Sequence, residues 1–241
     1  MQNESVAIKI LGKNIPEILL EVIIVVFGIL IAFLLDNWWD GVLESKEHKD
    51  ILYSLEQEFL ENRRLIREEK IWIEKAKESS LKLLLLDPNN ITEEHSKRVD
   101  SFLYAILGIP SFQPDNIEVQ DIINSGKIKY LENPGLEKLI SKWEAEMKKK
   151  NDLESEAAER TEHTEINYLF DKISFIRLDK QFSPIREKLA SVVDYGHDYE
   201  VLKERKFRNF VDDQLFHFDQ YEEKLTVIDS VITEILEVIK G

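Results

Sequence analysis

Cysteine is absent from the chain, which excludes a disulfide framework, a thiol nucleophile and a Cys-ligated zinc site. Glycine and proline are scarce, at 8 and 6 of 241 residues. Every glycine is isolated, so neither a G-x-G-x-x-G turn nor a P-loop is present to cradle phosphate. No G-x-S-x-G or S-x-x-K nucleophile stands in a usable context. The five histidines, His48, His95, His163, His197 and His217, form neither H-E-x-x-H nor the E-x-x-H of di-iron bundles. Basic residues are outnumbered, 32 against 47 acidic ones, for a formal charge of −15. Nucleic-acid binding relies on Lys and Arg neutralising phosphate, so a chain this acidic is not expected to bind it. The same charge disfavours coating of anionic lipid. Internal repeats, low-complexity tracts and long single-sign runs are also missing.

What is present is one long apolar run. From Ile18 to Leu35 the only charged residue is Glu21, and about 20 mainly apolar residues suffice for a helix to cross the hydrocarbon core. Isoleucine, valine, leucine and phenylalanine surround the whole helical circumference, whereas a buried core helix keeps a polar stripe. Trp38 and Trp39 stand where an interfacial aromatic belt belongs, and Asp36 and Asp40 end the run. The "LLDNWWD" that follows offers no small-residue cleavage site, so the run reads as an uncleaved anchor, not a signal peptide. Lys9, Lys13 and the terminal amine precede it, and Lys46 and Lys49 follow at greater distance. The positive-inside rule therefore favours a cytoplasmic N-terminus, with the C-terminal domain extracytoplasmic.

Within the run, Glu21, Val25, Gly28 and Ala32 share one helical face. Gly28-x-x-x-Ala32 is a small-x-x-x-small pair that lets two helices approach closely. A carboxylate in lipid is costly, so Glu21 faces a partner helix, lines a water path, or snorkels to the interface. These three alternatives stay open at the level of sequence.

The residues Glu21, Gly28, Ile29, Leu30, Ile31, Ala32, Asn37 and Trp38 fall on the pattern E-[IV]-x-L-V-x-[IV]-G-I-L-I-A-x-x-[IL]-[ND]-N-W. This resembles the anchor of a family of uncharacterised bacterial single-pass membrane proteins. The family usually has Gly before the Glu, where this chain has Leu20, and often Asn-Glu after the Trp, where it has Trp39-Asp40. The stretch "VQDIINSGKIKYLENPGLEKLISKW" (119–143) is similar to the family's Leu-x-x-Ser-Gly-x-[IL] segment and the helix after it. The resemblance implies a membrane-anchored helical protein and brings no catalytic residues.

Beyond the anchor the chain reads as helices. Leu52, Leu55, Phe59, Asn62, Ile66, Glu69, Ile73, Ala76, Ser80 and Leu83 follow a 3-4 spacing within 42–86, a stretch free of proline and glycine. Asn62, Glu69 and Ser80 interrupt that stripe, which favours bundle packing over a two-stranded coiled coil. This helix is either continuous with the anchor through Gly41 or begins after it. "DPNN" (87–90) stops it. Thr92 is positioned to cap a second helix that ends near Gly108. Asp115 or Asn116 starts a short third helix ending at Gly126. Asn133 caps a fourth with Pro134 as its first residue. The fourth helix is expected to extend towards Phe170, with "KKKNDLESEAAERTEHTE" as a solvated span or a break. Residues 177–198 read as irregular apart from a short helix after Pro184. A final helix from about Asp198 to Ile239 carries the strongest apolar stripe outside the anchor. No segment has the period-2 pattern and hairpin turns of a strand pair.

The sequence thus predicts an all-α chain: a short cytoplasmic tail (1–15), a transmembrane anchor (16–39) and an antiparallel bundle of long helices (40–241). The expected helix–helix contact in the membrane is Glu21, Val25, Gly28 and Ala32, and the interfacial anchor is Trp38 and Trp39. No catalytic residue, metal site or cofactor is expected. The pairs Glu159/His163 and Asp213/His217, at i, i+4, read as ordinary ion pairs. The expected partners are the lipid bilayer and either further copies of the chain or another membrane protein. The expected place is the inner (cytoplasmic) membrane. The leading role is a non-enzymatic scaffold or interaction protein. The alternative is a subunit of an ion-conducting or sensing assembly that uses Glu21.

Overall fold

In the computed structural model a single unbroken helix, α1 (Ile15–Leu85), carries both the apolar run and the amphipathic stretch behind it. Gly41 is an ordinary helical residue within it, which settles the continuity that the sequence left open. An interior glycine costs a helix only about 1 kcal/mol relative to alanine, and Pro16 stands in the first turn, where its missing N–H does no harm. The structure describes residues 15–240 apart from 90, 92, 132, 162–165, 194, 195 and 198. The expected tail, the Thr92 cap and His163 therefore fall wholly or almost wholly outside the described residues.

The described residues hold no strand, and the chain forms two compact units, 1–53 and 54–241, divided within α1. In the first unit the described part is helix alone, and every residue from 19 to 47 is exposed.

The second unit comprises α1 from Ser54 onward and seven further helices: α2 (Glu93–Ile106), α3 (Ile117–Asn124), α4 (Pro134–Arg160), α5 (Ile166–Phe170), α6 (Phe175–Phe182), α7 (Arg186–Leu189) and α8 (Arg205–Lys240). Its frame is α1, α4 and α8. Lys142 pairs with Glu234, Glu146 with Lys224 and Arg160 with Asp213, so numbers fall along α8 as they rise along α4. Lys240 meets Glu56, Lys70 meets Thr226 and Arg208 meets the Leu84 carbonyl, which sets α1 antiparallel to α8 as well. Between the three helices lie Leu55, Phe59, Ile66 and Ile73 from α1, Leu136, Ile140 and Trp143 from α4, and Phe218, Leu225, Ile228, Ile232 and Ile235 from α8, all buried. The Phe59 and Trp143 rings meet edge to face with centroids 5.2 Å apart, worth about 0.5–1.5 kcal/mol beyond the area they bury. A second apolar cluster joins Leu83, Val99, Leu103, Leu169, Leu178, Leu202, Phe207 and Phe210, and packs the short helices around the far end of α1.

Asn133 caps α4 as expected, its Oδ1 accepting from the N–H groups of Gly135 and Leu136 at 3.0 and 3.1 Å. Four features differ from expectation. First, α4 stops at Arg160, and Ile166–Phe170 forms a separate helix. Second, the polar middle of α4 is not uniformly solvated, since Lys150 is buried with its ammonium bonded. Third, residues 175–182 are helical, capped by Ser174 Oγ accepting from Arg177 N–H. Finally, α8 starts at Arg205, after a short 3₁₀ turn over Tyr199–Lys203.

Candidate functional site

The sequence-predicted contact residues lie on α1. At about 100° per residue, Glu21, Val25, Gly28 and Ala32 fall within a narrow sector of the helix. The structure brings them onto one face, and a Cβ placed on Gly28 would meet no atom within 4 Å. Around them Ile24, Phe27, Ile31, Phe33 and Leu34 are all exposed. Trp38 and Trp39 end the run with ring centroids 6.4 Å apart, both rings exposed. This helix is long and apolar enough to cross a membrane by length and composition. What the face offers chemically is a flat backbone approach at Gly28 and Ala32 beside a carboxylate.

In the second unit the polar side chains are spent on joining elements. The loop 107–116 is tied down by groups from three helices. Asn62 of α1 donates from Nδ2 to the Asp115 carbonyl at 2.6 Å and accepts the Asp115 N–H at Oδ1 at 2.8 Å. Glu69 accepts the Ser111 N–H at 2.9 Å. Tyr221 of α8 accepts the Phe112 N–H at 2.8 Å and donates to Glu154, while Lys150 donates to the Phe112 carbonyl at 2.7 Å and to Glu154 at 2.9 Å. Glu58 accepts the first N–H groups of α3, from Glu118 at 2.6 Å and Val119 at 3.2 Å. It thereby does from a distance what Asn116, at the N-cap, does not do with its own side chain. Burial pushes the Glu58 and Glu69 carboxyls up, against the lowering pull of those backbone donors. Burial and then the Glu154 charge raise the Tyr221 hydroxyl.

The second junction centres on Asp100, fully buried on α2. Its Oδ2 accepts from Arg177 Nε at 2.8 Å and Gln181 Nε2 at 2.9 Å, and its Oδ1 accepts from the Tyr199 hydroxyl at 2.6 Å. His197 Nε2 lies 3.2 Å from Oδ1, off the hydrogen-bond axis. The other ring nitrogen, Nδ1, accepts the Ser174 N–H at 2.9 Å and is therefore the unprotonated one. Burial penalises the Asp100 charge, but His197, Tyr199, Arg177 and Gln181 outweigh that penalty and hold the carboxyl well below the usual range. Burial and then Asp100 push the Tyr199 hydroxyl up to about 12. Sequence reasoning assigned His197 no role and passed over Asp100. The signal was present, since Asp100 falls in register with Ser96, Val99, Leu103 and Ile106 on the face of α2 that the structure buries.

Asp213 Oδ2 lies 3.3 Å from His217 Nε2, and Arg160 joins them, its Nη2 lying 2.8 Å from His217 Nδ1. Burial and then Arg160 lower the His217 pKa. Glu159 is described but His163 is not. Among the described residues no three His, Asp or Glu side chains are grouped to hold a metal ion. No family model, curated protein or solved structure matches the chain.

Proposed function

We propose that the chain is a membrane-anchored helical scaffold or interaction protein without enzymatic activity, of the uncharacterised single-pass family that its anchor motif resembles. In this reading the span sits in the inner (cytoplasmic) membrane, with the tail in the cytoplasm and the helical domain outside it. The observation that carries the reading is the exposure of the apolar residues 19–35 around the whole circumference of α1. Apolar surface on this scale is a liability in water and a requirement in lipid. The polar junctions of the second unit add support, because the side chains of Asn62, Glu58, Lys150 and Asp100 are engaged in joining one element to another.

Full-length protein should stay in the membrane fraction through high-salt and alkaline washes. Recovery in the soluble fraction would end the reading. Protease added to spheroplasts should degrade the helical domain and spare a cytoplasmic control, whereas protection of the domain would invert the topology. A second reading rests on Glu21 as the one charge between Ile18 and Leu35: a subunit of an ion-conducting or sensing assembly. Glu21→Gln separates the two, since it should alter ion flux in the second reading and at most assembly in the first.

A further inference from the structure

Beyond the scaffold reading, three helices of the second unit each turn one face into a common groove of about 680 Å³. Trp72 and Lys75 line it from α1, Tyr104 from α2, and Phe175, Asp179 and Phe182 from α6. The volume lies within the range of small-molecule sites, about 300–1,000 Å³. Its walls are preset. Arg177 and Gln181, on the other side of α6, bind Asp100 of α2 and so fasten the two walls together. The Trp72 indole is fixed by an edge contact with Phe218, at 5.7 Å, and by Gly108, where an added Cβ would lie 2.5 Å from Cζ2. The Tyr104 and Phe182 rings stand 5.4 Å apart. Asp179 is half-buried among these rings, and its carboxylate has no hydrogen bond or ion pair among the described residues. The Lys75 ammonium, exposed at the rim, also has none.

Aromatic faces and a carboxylate together attract an organic ammonium ion, and most strongly one with apolar substituents that cannot be hydrated well. The lysine at the rim suits an anionic group on the same molecule. We infer that this groove binds a small zwitterion in which an alkylated ammonium is linked to a phosphate or carboxylate, with the ammonium at Asp179 and the rings and the anion at Lys75. Phosphocholine is the simplest probe of that chemistry.

The test is calorimetric titration of the full-length protein in a maltoside detergent, free of phosphocholine headgroups, with phosphocholine, choline and 3,3-dimethylbutanol, the uncharged isostere of choline. Phosphocholine should bind saturably and more tightly than choline, and the isostere should not bind. Asp179→Asn should weaken both phosphocholine and choline about tenfold. Lys75→Gln should weaken phosphocholine and spare choline. Circular dichroism checks that each variant is folded, and Lys75, exposed at the rim, gives a variant that does not disturb the core. Repeating the titration in phosphatidylcholine and phosphatidylglycerol nanodiscs distinguishes the source. Competition only in the former assigns a lipid headgroup and its absence a free solute, and both support the site. Absence of saturable binding, equal binding of the isostere, or an unchanged affinity in Asp179→Asn would overturn it.

Discussion

Asn62 shows how a single amide holds a loop. It is fully buried, and it satisfies both the N–H and the carbonyl of Asp115, which lie too far along the chain for any local turn to pair. Asn62→Leu fills the same space with apolar atoms but strands two backbone groups, each of which costs about 1–3 kcal/mol when left buried and unpaired. The expected result is a loss of at least about 2 kcal/mol in urea unfolding of the full-length protein. A change under half of that would mean that water replaces the amide. Asp100 makes a prediction with a pH axis. Its folded pKa is depressed, so it stabilises the fold fully above the unfolded carboxylate value of about 4 and loses that contribution as pH falls below it. Asp100→Asn leaves Arg177 facing a neutral amide and should cost about 3 kcal/mol at pH 7. The deficit relative to wild type should shrink between pH 5 and about pH 3, where the wild type gives up its own advantage. A deficit that stays constant with pH would show that the Asp100 charge adds nothing beyond its hydrogen bonds. Glu58 and Glu69 carry the opposite sign. With raised pKa values, they favour the fold more when protonated and lose that contribution as pH rises through the folded values. They partly mask the Asp100 effect in the wild type, and the comparison of variants removes that masking.

At the scale of elements, the turn after α2 is fixed by the absence of a side chain at Gly108 rather than by backbone strain. Gly108→Ala would place a methyl group 2.5 Å from the Trp72 ring, which is itself held by Phe218. Overpacking of this kind costs about 1–3 kcal/mol, so the variant should unfold earlier on heating and show altered tryptophan emission, with the Trp72→Phe protein as the reference that isolates the Trp72 signal. Unaltered stability would mean that the indole swings freely into the groove. The long helices were legible because their signals are local. The 3-4 stripe of α1 predicted Leu55, Phe59, Ile66, Ile73, Ala76 and Leu83, all of which are buried. Asn133-Pro134 predicted the start of α4, and the last stripe predicted the core face of α8 from Phe207 to Ile235, though not the helix start at Arg205. Even the polar interruptions at Asn62 and Glu69 were visible, but their meaning was not. Each one serves a loop far along the chain, and no periodicity encodes a partner at that distance. Lys150 misled for the same reason: in the run "KKKNDLESE" it looks like its solvated neighbours, and only the fold supplies the Phe112 carbonyl and Glu154. α6 was missed although Phe175, Leu178 and Phe182 follow a 3-4 spacing, because eight residues make only about two turns, and its helix rests on the Ser174 cap and the Asp100 clamp.

At the scale of the whole molecule, the acid excess lies beyond the anchor. Lys9 and Lys13 nearly balance Glu4, Glu17 and Glu21, so residues 1–35 are close to neutral. Like charge disfavours self-association of the acidic domain, which leaves the apolar run as the surface proposed for contact between copies. In lipid no hydrophobic force draws helices together, so contact must come from close backbone packing and polar bonds. Gly28 and Ala32 permit the first and Glu21, on the same face, the second. Gly28 has open space around it within the chain, so a substitution there acts on a neighbour or on lipid and not on the fold. Gly28→Leu keeps the span apolar and should leave insertion unchanged while separating the backbones. Single-molecule photobleaching of full-length protein in bilayers should then shift from oligomers towards monomers. Glu21→Gln keeps a hydrogen-bonding group, and such bonds in membranes are worth only about 0.6–2 kcal/mol, so its effect on the distribution should be the smaller of the two. If Gly28→Leu left the distribution as it was, the face would look out on lipid, and Glu21 would be a carboxylate snorkelling to the membrane edge.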